Sequence, residues 1–554
     1  MSNEQSVMSN GRLRSLKGLA NLALTVFLRA AALAQDDPSR TWASDQGDGT
    51  YVNPVLHADY SDPDVIRVGD DYYLTSSSFE DVPGLPILHS KDLVNWRLIG
   101  HALPRLEPVA HFSVPRHGGG VWAPSLRFHK NEFYLYYPDP DFGIFLLKAK
   151  SAEGPWSAHV LVAGGKGLID PCPFWDDDGQ AYLVHAYAGS RAGIKSILAL
   201  RRLSADGTRV LDEGALVYDG HATDPTIEGP KLYKRRGYYY IFAPAGGVST
   251  GWQLVLRAKN IYGPYERKVV MEQGHTDVNG PHQGAWVQTQ TGEDWFLHFQ
   301  DKGAYGRVLH LQPVRWKDGW PVIGMDSTGS GTGVPVLRYR KPNVGRRWPK
   351  ATPPESDSFN SVRIGRQWQW PANPKATWAF ADAGKGVLRL FSDAPPDSAR
   401  NLWAAPNVLQ QKFPAEAFTA TAKVTFFPNA KLNERAGLSV MGLSYAGLAL
   451  QRDSSGLRLL GVRCAEAEKG GAETVFTLAT GLPATVFLRV RVSAGAQCRF
   501  SWSTDGSHYS EWSDPFTAQP GRWKGAKLGL FCVRSGSSND AGYMEVDWFR
   551  VEHL

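Results

Sequence analysis

Five short segments in the first 325 residues share one pattern, a polar turn followed by alternating apolar and aromatic positions. They are Asp71-Tyr72-Tyr73-Leu74, Glu132-Phe133-Tyr134-Leu135-Tyr136, Gln180-Ala181-Tyr182-Leu183-Val184, Gly237-Tyr238-Tyr239-Tyr240-Ile241 and Asp294-Trp295-Phe296-Leu297. A period of two with aromatic residues predicts half-buried strands. The equivalent aromatics Tyr73, Tyr134, Tyr182, Tyr240 and Phe296 are 61, 48, 58 and 56 residues apart. A second signal, a turn and then an aromatic, trails three of them, at Trp96, Trp156 and Tyr265. About four strands per repeat at this spacing predict a propeller. Five units give an all-β, five-bladed β-propeller over residues 50–325.

Residues 326–355 are rich in Gly, Pro and basic residues and read as a linker. Beyond them, residues 356–554 alternate again, as at 418–427 and 485–492, with turns such as Asp505-Gly506. This predicts a β-sandwich of jelly-roll type. Trp368, Trp370, Trp502, Trp512 and Trp548 fall in this half; core packing explains them better than sugar stacking.

Composition adds one feature. Of 554 residues 12% are aromatic, including 19 Trp and 21 Tyr, which suits both a β-rich core and the apolar faces of pyranoses. The net charge is +6, and half of it lies in residues 1–34, where Arg12, Arg14, Lys17 and Arg29 face only Glu4. The remaining charge is too small for a nucleic-acid reader. The same leader has a basic start, an apolar stretch interrupted by Arg29, and Ala30-Ala31-Ala32-Leu33-Ala34. It reads as a signal peptide cut near Ala34, hence a secreted or periplasmic protein, and it is too short to span a membrane. Cys172, Cys464, Cys498 and Cys532 lack metal spacing; one disulfide among the last three stays open. Oligomeric state is not legible.

About a dozen residues before each repeated aromatic lies the expected start of an innermost strand. Those slots hold Asp62, Trp122, Asp170, Glu228 and the His282-Gln283-Gly284 turn. A propeller would bring them together around its axis as three carboxylates, an indole and an imidazole. Any one Asp-Pro could be a mere turn, but three acids at matching offsets are hard to explain that way. Glycosidic bonds are broken by such sets. One carboxylic acid protonates the leaving oxygen, and one carboxylate activates water or attacks carbon. A third nearby acid tunes the first by repulsion.

These residues resemble glycoside hydrolase family 43. The resemblance is carried by Asn53-Pro54-Val55-Leu56 with Ser61-Asp62-Pro63-Asp64-Val65, by Ile169-Asp170-Pro171 with Phe174-Trp175-Asp176-Asp177-Asp178-Gly179, and by Ile227-Glu228-Gly229-Pro230-Lys231-Leu232-Tyr233. Residues 355–550 resemble the sandwich that follows the propeller in the xylosidase-like branch. The resemblance implies Asp62 as general base, Glu228 as general acid and Asp170 as pKa modulator, with inversion of configuration. It implies that His282 ligates a calcium ion held otherwise by water, although calcium prefers oxygen donors. It implies that Arg307 contacts the sugar, with Trp122 and Phe79 as walls. The expected substrate is a plant cell-wall saccharide, and the expected activity an exo-acting β-1,4-xylosidase. An α-L-arabinofuranosidase is the alternative, and a non-catalytic glycan-binding protein a further one. Five-bladed fructan hydrolases carry a similar acid triad but retain configuration.

Overall fold

The computed structural model describes residues 41–429, 433–536 and 539–554. The expected leader lies outside the described residues. Five antiparallel sheets of four consecutive strands follow one another along the chain. The first contains Asp64–Val68, Asp71–Thr75, Gly84–Ser90 and Trp96–Leu103. The fifth contains His282–Gln288, Asp294–Asp301, Arg307–Lys317 and Trp320–Ile323. Each repeated aromatic falls on the second strand of its sheet, and Trp96 opens the fourth strand of the first. The inner two strands are joined by tight turns, and these explain two sequence details. Lys130-Asn131 and Arg236-Gly237 both have positive φ at each central position, the geometry that matches the twist of a two-residue hairpin.

The innermost strands, Asp64–Val68, Ser125–His129, Leu168–Trp175, Lys231–Arg235 and His282–Gln288, meet around one axis, and the last returns to the first. Buried charge ties them together. Asp64 Oδ2 accepts from the Leu126 N–H and from Arg127 Nη1, each at 2.7 Å. Arg127 Nη2 lies 2.8 Å from Cys172 Sγ. Lys231 Nζ donates to Pro124 O at 2.9 Å and Ser125 Oγ at 2.6 Å. The two acids of Ser61-Asp62-Pro63-Asp64 therefore divide their work: Asp64 ties strands below the channel floor and Asp62 is left for the channel.

The connecting segment is fastened along its length. Arg338–Arg340 pairs with Thr50–Val52, and the Ala351 N–H donates to Asn95 Oδ1 at 3.1 Å. The sandwich has two facing sheets. One runs Val408–Lys412, Lys527–Ser535, Asn433–Met441, Tyr445–Asp453, Gly456–Cys464, Thr474–Leu482 in spatial order. The other is centred on Tyr543–His553, Phe418–Phe427 and Thr485–Ser493. Phe418, Ala420, Ala422, Val424 and Phe426 point inward at every second position and meet Leu438, Val440, Leu448 and Leu450. Trp368, Trp370 and Trp512 are buried in this core, so packing is their role. All four cysteines are free and buried, which closes the disulfide question.

Candidate active site

Asp62 and Asp170 share an unusual backbone. Their φ angles are +54° and +55°, the left-handed region that Asp tolerates better than most residues. Asp170 also sits at a bulge, where pairing of Leu168–Trp175 with Ala181–Tyr187 slips between Ile169 and Cys172. A bulge re-aims a side chain out of the alternating pattern. The same irregularity recurs between His282 and Gly284 in the fifth sheet. At Asp170 and His282 the strand-start offset seen in the sequence thus corresponds to a local kink in the innermost strand.

Asp62, Asp170 and Glu228 line one cleft of about 110 Å3, open to solvent at its mouth. Phe79, Trp122, Gln283, Arg307, Val248 and Trp523 complete most of its wall. Asp62 is held as an acceptor: Arg307 Nη1 reaches its two oxygens at 2.9 and 3.2 Å, and Ser77 Oγ donates to Oδ2 at 2.5 Å. Arg307 is itself fixed through its backbone, whose N–H donates to Asp59 Oδ1 at 3.0 Å, and its guanidinium lies 4.9 Å from the Phe299 ring.

Asp170 is 2% exposed, and its Oδ2 accepts from the Gly229 N–H at 2.7 Å and Gln283 Nε2 at 3.3 Å. Its carboxyl is pushed well above the usual carboxylate range. Burial is the largest cause, and the charges of Glu228 and Asp62 add to it, outweighing the Gly229 hydrogen bond. Carboxyls coupled in this way titrate as a set and not one by one. Glu228 stands at the wetter end with its side chain 23% exposed, and its Oε1 is 2.8 Å from His282 Nε2.

All seven residues singled out in the sequence are therefore at or beside one cleft. Its Nε2 is engaged with Glu228, and only Nδ1, fully buried, lacks a partner. Among the described residues no group of three His, Cys, Asp or Glu side chains could hold a metal. A single imidazole nitrogen is a poor donor set for a hard, oxygen-seeking cation. Beside His282 the protein supplies no oxygen cage for calcium, and the hydrogen bond to Glu228 fits a histidine that orients a carboxyl.

The sequence reading missed Ser77, Gln283, Asp59 and Trp523. Gln283 lies in the fifth slot beside His282, so the repeat offset already pointed to it. Trp523 comes from the sandwich, in Gly521-Arg522-Trp523-Lys524-Gly525, and is 48% exposed beside the cleft. Its ring centroid is 6.4 Å from that of Trp122. No local signal marks it, because its partners are some 400 residues away in the chain. Trp122 is pinned by its Nε1–H to Gly118 O at 2.8 Å, and the Arg191 guanidinium lies 5.3 Å from its ring.

Known proteins place this architecture. A model described as "Glycosyl hydrolases family 43" matches residues 51–321, and one described as "Beta xylosidase C-terminal Concanavalin A-like domain" matches residues 356–552. A protein named "Beta-xylosidase" from Formosa agariphila is 35% identical over 559 residues, covering 92% of this chain and 91% of its own. A "Non-reducing end alpha-L-arabinofuranosidase" from Bacteroides ovatus is 30% identical over 538 residues, covering 90% of this chain and 94% of its own. The crystal structure of a xylan beta-1,4-xylosidase from Bacillus Halodurans C-125 superposes with a TM-score of 0.79 at 25% identity, over 91% of this chain and all of that one.

Proposed function

Because the chain belongs to glycosyl hydrolases family 43, and is thus a glycoside hydrolase, we propose that it is an inverting, exo-acting β-xylosidase removing xylose from xylo-oligosaccharide ends. One observation carries the reading. Three carboxylates from three blades converge on one cleft, and burial beside the other two pushes the carboxyl of Asp170 well above the usual carboxylate range. Hydrolysis with inversion needs a carboxylate for water and a protonated carboxyl for the leaving oxygen.

Asp62 suits the first task. Arg307 and Ser77 donate to it and fix its position, leaving it to accept a proton from water approaching the sugar. Glu228 suits the second, since it is the carboxyl nearest solvent and His282 fixes its orientation. Asp170 suits the modulator's task, since it and Glu228 lie close enough for each charge to oppose ionisation of the other group. As the bond breaks, positive charge grows on the sugar ring, and carboxylate charge in the cleft stabilises it. Arg307 is placed to reach a sugar hydroxyl while holding the base. Phe79 and Trp122 supply flat apolar surface for the pyranose. No step is assigned to a metal ion.

A cleft of this volume is below the usual range for ligand sites and suits a single terminal sugar better than the middle of a polysaccharide. Xylose and arabinofuranose present similar hydroxyls, so hydrolysis of 4-nitrophenyl β-xyloside against 4-nitrophenyl α-L-arabinofuranoside tests the substrate. Faster xyloside turnover is expected. Activity on the arabinoside alone would replace the sugar, and inactivity on both would overturn the reading. Glu228→Ala should lower turnover by orders of magnitude while sugar binding persists; a glycan-binding protein would show no turnover to lose. Export is part of the proposal and rests on the leader's sequence, so the native protein should begin near residue 35.

A further inference from the structure

The aromatic walls of the cleft come from three distant places, and one buried ion pair touches all three. Lys524 Nζ is 2.5 Å from Glu80 Oε1 and 2.9 Å from Asp81 Oδ1. Glu80 follows Phe79 in the chain, and Lys524 follows Trp523. The other oxygen of Glu80 accepts from the Gly118 N–H at 3.0 Å, and Gly118 O accepts from Trp122 Nε1 at 2.8 Å. His117 Nδ1 adds a contact to Glu80 Oε1 at 3.3 Å, and its ring stacks on Trp403 of the sandwich at 3.7 Å. Lys527 pairs with Asp81. The side chains of Glu80, Asp81, Lys524 and Lys527 are all at most 7% exposed.

The packing is close enough to transmit position. A methyl group added at Gly118 would lie 2.5 Å from Arg522 Cγ and 2.7 Å from Trp523 Cδ1. On the far side of Trp523, the Gly525 N–H donates to Asp59 Oδ2 at 2.9 Å, and the same carboxylate holds the Arg307 backbone. The loop that carries Trp523 is thus fastened to the propeller on both flanks.

Such a cluster is costly to bury and is stable only while complete. Burial alone would raise the Glu80 carboxyl, but Lys524, followed by His117, outweighs it and holds Glu80 well below its usual range. Asp62, Asp170 and Glu228 receive no direct contact from this network. The aromatic walls of the cleft do.

We propose that the Glu80–Lys524 pair is a positioning device that sets Phe79, Trp122 and Trp523 in register across the two domains, so that the sandwich governs leaving-group recognition and the propeller governs bond cleavage. This rests on the glycosidase reading above and deepens it.

The test compares Lys524→Met and the charge-balanced double variant Glu80→Gln/Lys524→Met with the wild type on xylobiose, with free xylose as inhibitor. The device predicts a KM for xylobiose raised on the order of tenfold in both, the loss of about one aromatic contact. It predicts kcat within threefold and a smaller rise in the inhibition constant for free xylose, which meets Phe79 and Trp122 in the innermost subsite but not Trp523. Lys524→Arg should restore much of the KM. Unchanged KM in both variants overturns the proposal. So does a parallel loss of kcat and xylose binding, which would mark general destabilisation. Where Lys524→Met does not fold, the double variant decides alone. If the wild type cleaves only arabinosides, the same KM-against-kcat comparison on an arabino-oligosaccharide decides. If it cleaves nothing, the glycosidase reading fails separately. The 19F spectrum of 5-fluorotryptophan-labelled protein then decides the device: the resonances removed by Trp122→Phe and Trp523→Phe must both shift in Lys524→Met, and unmoved resonances refute it.

Discussion

Asp139 offers a prediction whose size follows from the structure. It ends the strand Glu132–Asp139 directly after Pro138, whose carbonyl accepts the Trp122 N–H at 3.0 Å. Its carboxyl is pushed up to about 7 from 3.8, mainly by burial and further by Asp141, against smaller relief from backbone N–H groups and Arg191. The sign follows from proton counting. Below about pH 4 the carboxyl is neutral in native and unfolded chains alike and costs nothing. Between about pH 4 and 7 the unfolded chain ionises while the native one holds its proton, so stability falls as pH rises. Above pH 7 the loss is complete. At about 1.4 kcal/mol per tenfold in proton affinity the full loss is bounded by about 4 kcal/mol, and relaxation with water entry roughly halves such figures. A little over 1 kcal/mol of it then falls between pH 5 and pH 8. Asp139→Asn keeps an oxygen for the Asp141 N–H, which donates to Asp139 Oδ1 at 3.0 Å, and removes the titration. Calorimetry at pH 5 and pH 8 should show the gap in Tm between the two pH values narrowing by about 2 °C in the variant. All other groups titrate alike in both proteins and cancel. An unchanged gap, or a wider one, would refute the burial argument.

Other expectations follow from single features. Gly118→Val places a branched side chain against Arg522 and Trp523 at a φ of +76°; stability should fall by about 1–2 kcal/mol and KM for xylobiose should rise severalfold, and an unchanged KM would separate Gly118 from the cleft wall. Exhaustive chelation, read by kcat/KM before and after calcium is returned, should leave activity within twofold, because the donor set at His282 is a single nitrogen. A chelated enzyme that is inactive until calcium returns would contradict that.

The propeller was legible because repetition amplifies weak signals. No single strand such as Asp71–Thr75 is distinctive, but five aromatics at similar spacing define blades, and the blade offset then picks out Asp62, Asp170 and Glu228. The offset works because the inner strand and its hairpin have nearly constant length. What it could not supply is direction: the positive φ at Asp62 and Asp170 and the bulges at Ile169 and His282 have no marker in the residue pattern. Likewise His282 was placed correctly, but its partner, Glu228, depends on which ring nitrogen faces which blade. Trp523 and Lys524 were invisible for a plainer reason. Their contacts with Phe79, Glu80 and Asp81 join residues more than 400 positions apart, and neither periodicity nor local chemistry reports on such a distance.

The stereochemistry of the first-formed sugar tests the central claim most directly. With Asp62 directing water from the face opposite Glu228, a β-xyloside must release α-xylose first, and proton NMR of a fresh digest should show the α-anomer signal ahead of mutarotation. Early appearance of β-xylose would mean a covalent intermediate on one of these carboxylates, and would contradict the roles assigned to Asp62 and Asp170.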